Sequence, residues 1–216
     1  MSKQMLRNAV GRTFPCVVAI VVVGLAGVLA LIAAGGQGAL AAPGIIYVDA
    51  DAMGTNDGSS WDDAYTDLQD ALAAASSGDE IWVAAGTYKP TSGTDRTASF
   101  QMKNGVAIYG GFDPGAGAFR FEDRDWDLHE TILSGDIGTV GDKSDNAYHV
   151  FYQPDGTNLD SSAILDGFIV RGGNADGGWP HYHGGGMYNA GSSPTLTNCT
   201  FRGNVASIGG GGMYNS

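Results

Sequence analysis

The sequence predicts an all-β chain wound as a parallel β-helix, a solenoid of stacked coils, with an amphipathic helix closing its first end. Three observations carry that expectation. Gly fills 35 of 216 positions, more than twice ordinary usage of about 7%; with 7 Pro and no three-residue period the chain is not collagen. Short β-type runs that close on Gly recur at a spacing of 25 residues, and two longer motifs repeat at offsets of 31 and 26.

Taken in order, residues 1–12 form a basic head with Lys3, Arg7 and Arg12, and residues 17–34 are an uncharged apolar run. Ala39-Leu40-Ala41 supplies a small-x-small site, so residues 1–41 are expected to be a secretory signal cleaved after Ala41. An uncleaved anchor is the alternative, because 18 apolar residues approach the roughly 20 that span a bilayer. Cys16 opens the apolar run instead of ending it, which does not suit a lipoprotein site, and removal of the signal leaves Cys199 alone. A lone Cys in an apolar strand is expected to be core.

Residues 42–78 are expected to form an amino-terminal cap. Tyr47 and Val48 begin it, and Trp61, Ala64, Tyr65, Leu68, Leu72 and Ala75 then recur at helical spacing. Ser60 is expected as the N-cap, with Asp62, Asp63 and Asp67 near the positive end and Ser76-Ser77-Gly78 ending a helix over about 61–75. No second helix is expected.

Residues 79–216 read as β coils. Runs starting at Glu80, Gly105 and Glu130 make the first series. In the second, Leu165-Asp-Gly-Phe-Ile-Val-Arg-Gly aligns with Leu196-Thr-Asn-Cys-Thr-Phe-Arg-Gly, so Gly167 falls on Asn198. Those residue types best tolerate a left-handed backbone, which predicts a corner there and directs Leu165, Phe168, Val170, Leu196, Cys199 and Phe201 inward. Gly184-Gly-Gly-Met-Tyr-Asn repeats at Gly210, 26 residues on, and the difference between 31 and 26 locates a five-residue insertion between Asn174 and Gly184. About six coils at roughly 4.8 Å would make a rod of about 25–30 Å. The chain stops at Ser216, one residue past a repeat motif, so a fragment is expected, with further coils and any carboxy-terminal anchor missing.

Charge excludes one partner class. Past residue 48 the chain carries 8 basic and 23 acidic side chains, a net of −15, which repels phosphate backbones and argues against nucleic acid. Calcium and cationic partners are compatible with it.

The two Gly-Gly-Gly-Met-Tyr-Asn copies and Phe201-Arg-Gly-Asn204 resemble the GGAI and FxxN repeats of bacterial polymorphic outer-membrane proteins. The passengers of that family are right-handed parallel β-helices. The segment from Tyr47 through the expected helix to Tyr88 resembles the capping entry of the pectate-lyase-like superfamily. The resemblance implies a right-handed coil and a secreted or cell-surface location, outer membrane included. Met-Tyr stands where that family has Ala-Ile, and no transporter barrel is present in the sequence.

Enzymes of the wider superfamily place catalytic groups on one coil face. Hydrolysis of the polygalacturonase kind needs paired carboxylates with Gly-His-Gly and Arg-x-Lys, and neither motif occurs. Arg171 and Arg202 occupy equivalent positions, read as a solvated or corner-bonding ladder. Asp49, Asp51, Asn56 and Asp57 are the densest oxygen-ligand group and the candidate calcium site, although an EF-hand count from Asp49 puts Ser60 at the twelfth position, where an acid is required. A turn of Asp, Asn and Gly is the competing account. Asp136, Asp142, Asp145 and Asn146 read as one polar loop.

The insertion, residues 176–183, is the candidate ligand-binding feature. It offers Trp179 and Tyr182 as contacts for sugar or protein. His181 and His183 are two apart, so on an extended segment they point the same way and could share a metal; a loop folded back over the coil is the competing account. Asn198-Cys199-Thr200 matches a glycosylation sequon, with Asn198 read as the corner residue. The expected function is a structural or adhesive binding module without catalysis, holding a surface protein or polysaccharide and needing no cofactor, with calcium as an optional ligand. Its membrane contact would come through the signal or a missing anchor. A polysaccharide lyase or hydrolase is the alternative, and a nonfunctional fragment the third reading.

Overall fold

Short alternations of apolar and polar residues, bounded by Gly, Asn and Asp, set the strands. The computed structural model describes residues 44–117 and 119–216; the expected signal, its cleavage site and Cys16 lie outside the described residues. In chain order the elements are β1 (Ile45–Val48), α1 (Leu68–Ala74), β2 (Glu80–Ala84), β3 (Gly86–Tyr88), β4 (Ala107–Phe112), β5 (Thr131–Ser134), β6 (Phe151–Gln153), β7 (Ile164–Asp166), β8 (Ile169–Arg171), β9 (Asn174–Ala175), β10 (Met187–Asn189), β11 (Thr195–Thr197), β12 (Thr200–Arg202), β13 (Val205–Ala206) and β14 (Met213–Asn215). The chain is mainly β, and its ladders are parallel.

The strands fall into several parallel sheets. These are a five-stranded sheet β1-β2-β4-β7-β11, a four-stranded sheet β12-β8-β5-β3, a three-stranded sheet β14-β10-β6 and the pair β13-β9. Five strands at about 4.8 Å make a stack roughly 20 Å deep, shorter than the length expected from six coils. No helix among the described residues is long and apolar enough to cross a membrane.

Register stacks apolar residues on one another. Ile46, Ile81, Ile108, Leu165 and Leu196 form one row, and Leu133, Val170 and Phe201 another. Ile81, Ile108, Leu133, Leu165 and Val170 are fully buried, each side chain stabilising the fold by about 1.5–3 kcal/mol. The 31- and 26-residue offsets are the observed registers, Leu165 on Leu196 and Met187 on Met213. Gly167 (φ +84°) and Asn198 (φ +50°) both turn the corner in the left-handed region. Cys199 packs against the core as expected, and burial pushes its thiol pKa up.

Two expectations are corrected. The 25-residue series does not form one ladder. Glu80 pairs with Ala107, not Gly105, and β5 joins a different sheet, where Gly86-Thr87-Tyr88 precedes it. The helix is half the expected length. Asp67, not Ser60, is the N-cap, its carboxylate accepting from Gln69 N at 2.8 Å. Residues 61–66 are held out of the helix by the edge of β1: Tyr65 N donates to Tyr47 O and Asp49 N to Tyr65 O, each at 2.9 Å. That edge would otherwise present unpaired amides and carbonyls, so pairing there wins over helix propensity. The helix itself buries Leu68, Ala71 and Leu72.

A second cover lies over the five-stranded sheet. Arg124, its side chain 5% exposed, pairs with Asp166 at 3.1 Å and donates to Gly110 O at 2.9 Å. Its guanidinium sits about 5 Å from the rings of Tyr109, Phe121 and Trp126, a setting in which a planar cation is favoured over an ammonium.

Candidate functional site

The insertion is a tight loop tied at its base. Gly177 N donates to His181 O and His181 N to Gly178 O. Arg96 pairs with Asp176 at 2.6 Å and also donates to Asn146 O and Asn174 O, while its guanidinium stacks 4.2 Å above the Tyr148 ring. His181 stacks on Tyr148, 4.8 Å between centroids, and lies 3.0 Å from the His149 ring.

Hydrogen-bond chemistry assigns the tautomers. Gly184 O, 2.9 Å from His149 Nδ1, can only accept, so Nδ1 carries the proton. His149 Nε2 is then an acceptor and accepts a hydrogen bond from His181 Nδ1–H, leaving the lone pair of the neutral His181 ring on Nε2. Burial pushes the His149 pKa down to about 4, with the backbone bond to Gly184 opposing and His181 adding to the drop. Burial lowers His181 as well. Both imidazoles are therefore neutral at pH 7.

Beside this pair runs a ladder of tyrosines. Tyr152, Tyr188 and Tyr214 occupy one register position of β6, β10 and β14, with centroids 5.3 and 5.6 Å apart. His149 stacks on Tyr152 and His183 on Tyr214, at 4.9 and 4.2 Å. Tyr182 contacts His183 and Trp179, and Trp179 stands 70% exposed at the crest of the loop.

The four residues singled out from sequence thus share one flank, but the two histidines part company. His181 turns to His149 and Tyr148; His183 turns to Tyr214 and to Ile208 O, 3.1 Å from its Nδ1. The loop is folded, not extended, so the i, i+2 argument does not apply, and no shared metal position results. Among the described residues no group of three His, Cys, Asp or Glu side chains could hold a metal ion.

Sequence reasoning missed Tyr148, His149, Tyr152 and Arg96. A signal for Tyr152 was present: Phe151-Tyr152-Gln153 is a degenerate copy of Met-Tyr-Asn, in register with Met187-Tyr188-Asn189.

The acidic candidates divide. Asp49 and Asp51 line a cavity of about 510 Å³ with Asp62, Trp61 and Phe119. Asn56 and Asp57 serve turns instead, Asn56 Oδ1 accepting from Thr66 N and Asp57 Oδ1 from Ser59 N. Bonds from the Ser59 hydroxyl and amide hold the Asp57 carboxyl below its usual range. Asp136, Asp142 and Asp145 accept from Gly141, Ser144 and Thr139 amides, so that stretch is one self-bonded polar loop.

Comparison with known protein families, curated proteins and solved structures finds no match.

Proposed function

We propose that this chain is a right-handed parallel β-helix, exported to the cell surface or beyond, that acts as a structural or adhesive module and holds a polysaccharide or surface-protein partner without transforming it. The observation that supports this reading is Trp179. A large apolar ring stands 70% exposed on a loop whose base is held by an ion pair, a guanidinium–ring stack and a His–His hydrogen bond. Leaving indole in water is unfavourable, and holding it rigid removes the ordering cost that a flexible loop would bring to binding. The partly exposed rings of Tyr182, His183 and Tyr214 lie beside it.

The test is attachment of the purified chain to a panel of immobilised neutral and acidic polysaccharides and to cell surfaces, wild type against Trp179→Ala. The variant is expected to keep the fold and to lose attachment by at least about tenfold. Unchanged attachment would remove the loop from the contact. Release of unsaturated or reducing sugars from any polysaccharide in the panel would overturn the noncatalytic reading.

A further inference from the structure

The described residues carry 8 cationic side chains against 23 acidic ones, so the default environment of any surface hollow is acidic. One hollow reverses this. A cleft of about 410 Å³ is lined by Arg171, Arg202 and Lys143, with Ser134, Asp136 and Asn146 completing its polar wall. Three of the eight cations meet there.

Their arrangement comes from the fold. Arg171 and Arg202 are directly opposite on β8 and β12, and their neighbours Val170 and Phe201 pack into the core, so by alternation both cations leave the outer face. Two like charges opposed on adjacent strands, about 4.8 Å apart, repel. Glu130 approaches only Arg202, at 3.6 Å. The Arg171 guanidinium and the Lys143 ammonium have no hydrogen-bond or ion-pair partner among the described residues. Lys143 arrives from the polar loop, whose position over the strands is held by Asn146 Nδ2 donating to Gly172 O at 2.6 Å and Asn174 Nδ2 to Lys143 O at 2.9 Å. The single carboxylate in the cleft, Asp136, accepts from Gly141 N at 2.9 Å, and Ser134 Oγ accepts from Asp136 N, which leaves the hydroxyl proton available.

We propose that this cleft binds a tetrahedral oxyanion, sulfate or phosphate, either free or as an ester on a larger ligand. The anion relieves the repulsion between Arg171 and Arg202. Two arginines from the strands, Arg202 shared with Glu130, and one lysine from the loop line the cleft. That distribution suits a group with three outward oxygens better than a planar carboxylate, whose two oxygens one arginine fork can satisfy. The proposal does not rest on the Trp179 reading: Asn146 and Asn174 touch both sites through their bonds to Arg96, but none of the three cations of the cleft belongs to the Trp179 flank.

Calorimetric titration of the purified chain with sodium sulfate, sodium phosphate and sodium acetate at constant ionic strength tests it. Saturable binding of sulfate or phosphate at one site per chain is expected, weakened about tenfold or more by Arg171→Gln and by Lys143→Gln. Lys143 is exposed on its loop, so its replacement reports on binding without endangering the fold. Tighter sulfate binding, with retention on dextran sulfate but not dextran, assigns a sulfate ester; tighter phosphate binding assigns a phosphate. The proposal is overturned if neither anion saturates, if acetate binds as tightly, or if affinity survives both substitutions.

Discussion

Acidification from pH 7 to pH 5 should destabilise this fold, and the larger part of the loss is assigned to one imidazole. His149 is 2% exposed, and burial lowers its pKa from 6.5 to about 4. The unfolded chain therefore takes up a proton at His149 more readily than the folded one. The stability contributed by the neutral ring is fully present above pH 6.5 and is lost as pH falls towards 4. Over that whole interval the loss amounts to about 3.4 kcal/mol, at about 1.36 kcal/mol per pH decade. At pH 5 the unfolded imidazole is about 97% protonated and the folded one about 10%, which makes the loss between pH 7 and pH 5 about 2 kcal/mol. His149→Asn keeps a donor near Gly184 O and removes the titration, so its stability should change less across the same interval by about that amount. Urea unfolding midpoints of both proteins at pH 7, 6 and 5, followed by tryptophan fluorescence, measure this. The interval stays above the titration of the carboxylates held low by hydrogen bonds, such as Asp57 and Asp142. Equal losses in wild type and variant would refute the assignment of a neutral, buried His149.

Two further outcomes follow from backbone geometry. A Cβ on Gly173 would lie 1.7 Å from the carbonyl oxygen of Gly185, a clash between the segments that lead into β9 and β10 that only backbone movement relieves. Gly173→Ala should cost about 3 kcal/mol or more, whereas Gly178→Ala, with nothing within 4 Å of the added carbon, should stay within about 0.5 kcal/mol; equal effects in urea unfolding would argue against the close approach. At Asn198, φ is +50°, so Asn198→Ala should lose about 1–2 kcal/mol while Asn198→Gly loses less despite giving up the bond to Asp166. A Gly variant less stable than the Ala variant would contradict the corner.

The parts of the fold that were legible share a cause. Leu165 with Leu196, Val170 with Phe201 and Met187 with Met213 are stacked across neighbouring passes of the chain, and stacked positions face the same environment, so they favour similar residues. The offset between two repeats is then the register itself. Where the environment differs between passes the signal fades. Phe151-Tyr152-Gln153 is not legible as a repeat because its first and last residues differ from Met and Asn, although Gln153 is fully buried and pairs with Asn189. The evenly spaced runs at Glu80, Gly105 and Glu130 misled for the opposite reason, since β-type runs closing on Gly serve more than one sheet of this fold.

The candidate flank divides the same way. An insertion bearing Trp179, His181, Tyr182 and His183 can be located by subtracting two repeat offsets, and the identity of those side chains is local information. Whether the two histidines converge is not local. It depends on His149 and Tyr148, some 32 residues earlier, and on Ile208 and Tyr214, 25 and 31 residues later. The helix shows the competition most plainly: periodicity alone extends it to Trp61, and the unpaired edge of β1 takes residues 61–66 away. The amino-acid sequence by itself thus determined the parallel registers, the left-handed corner and the site of the insertion, because each repeats or breaks a pattern along the chain. Only the tertiary structure decided the tautomers of the histidine pair, the length of the helix and the meeting of Lys143 with Arg171 and Arg202, because each depends on groups that winding brings together from distant positions.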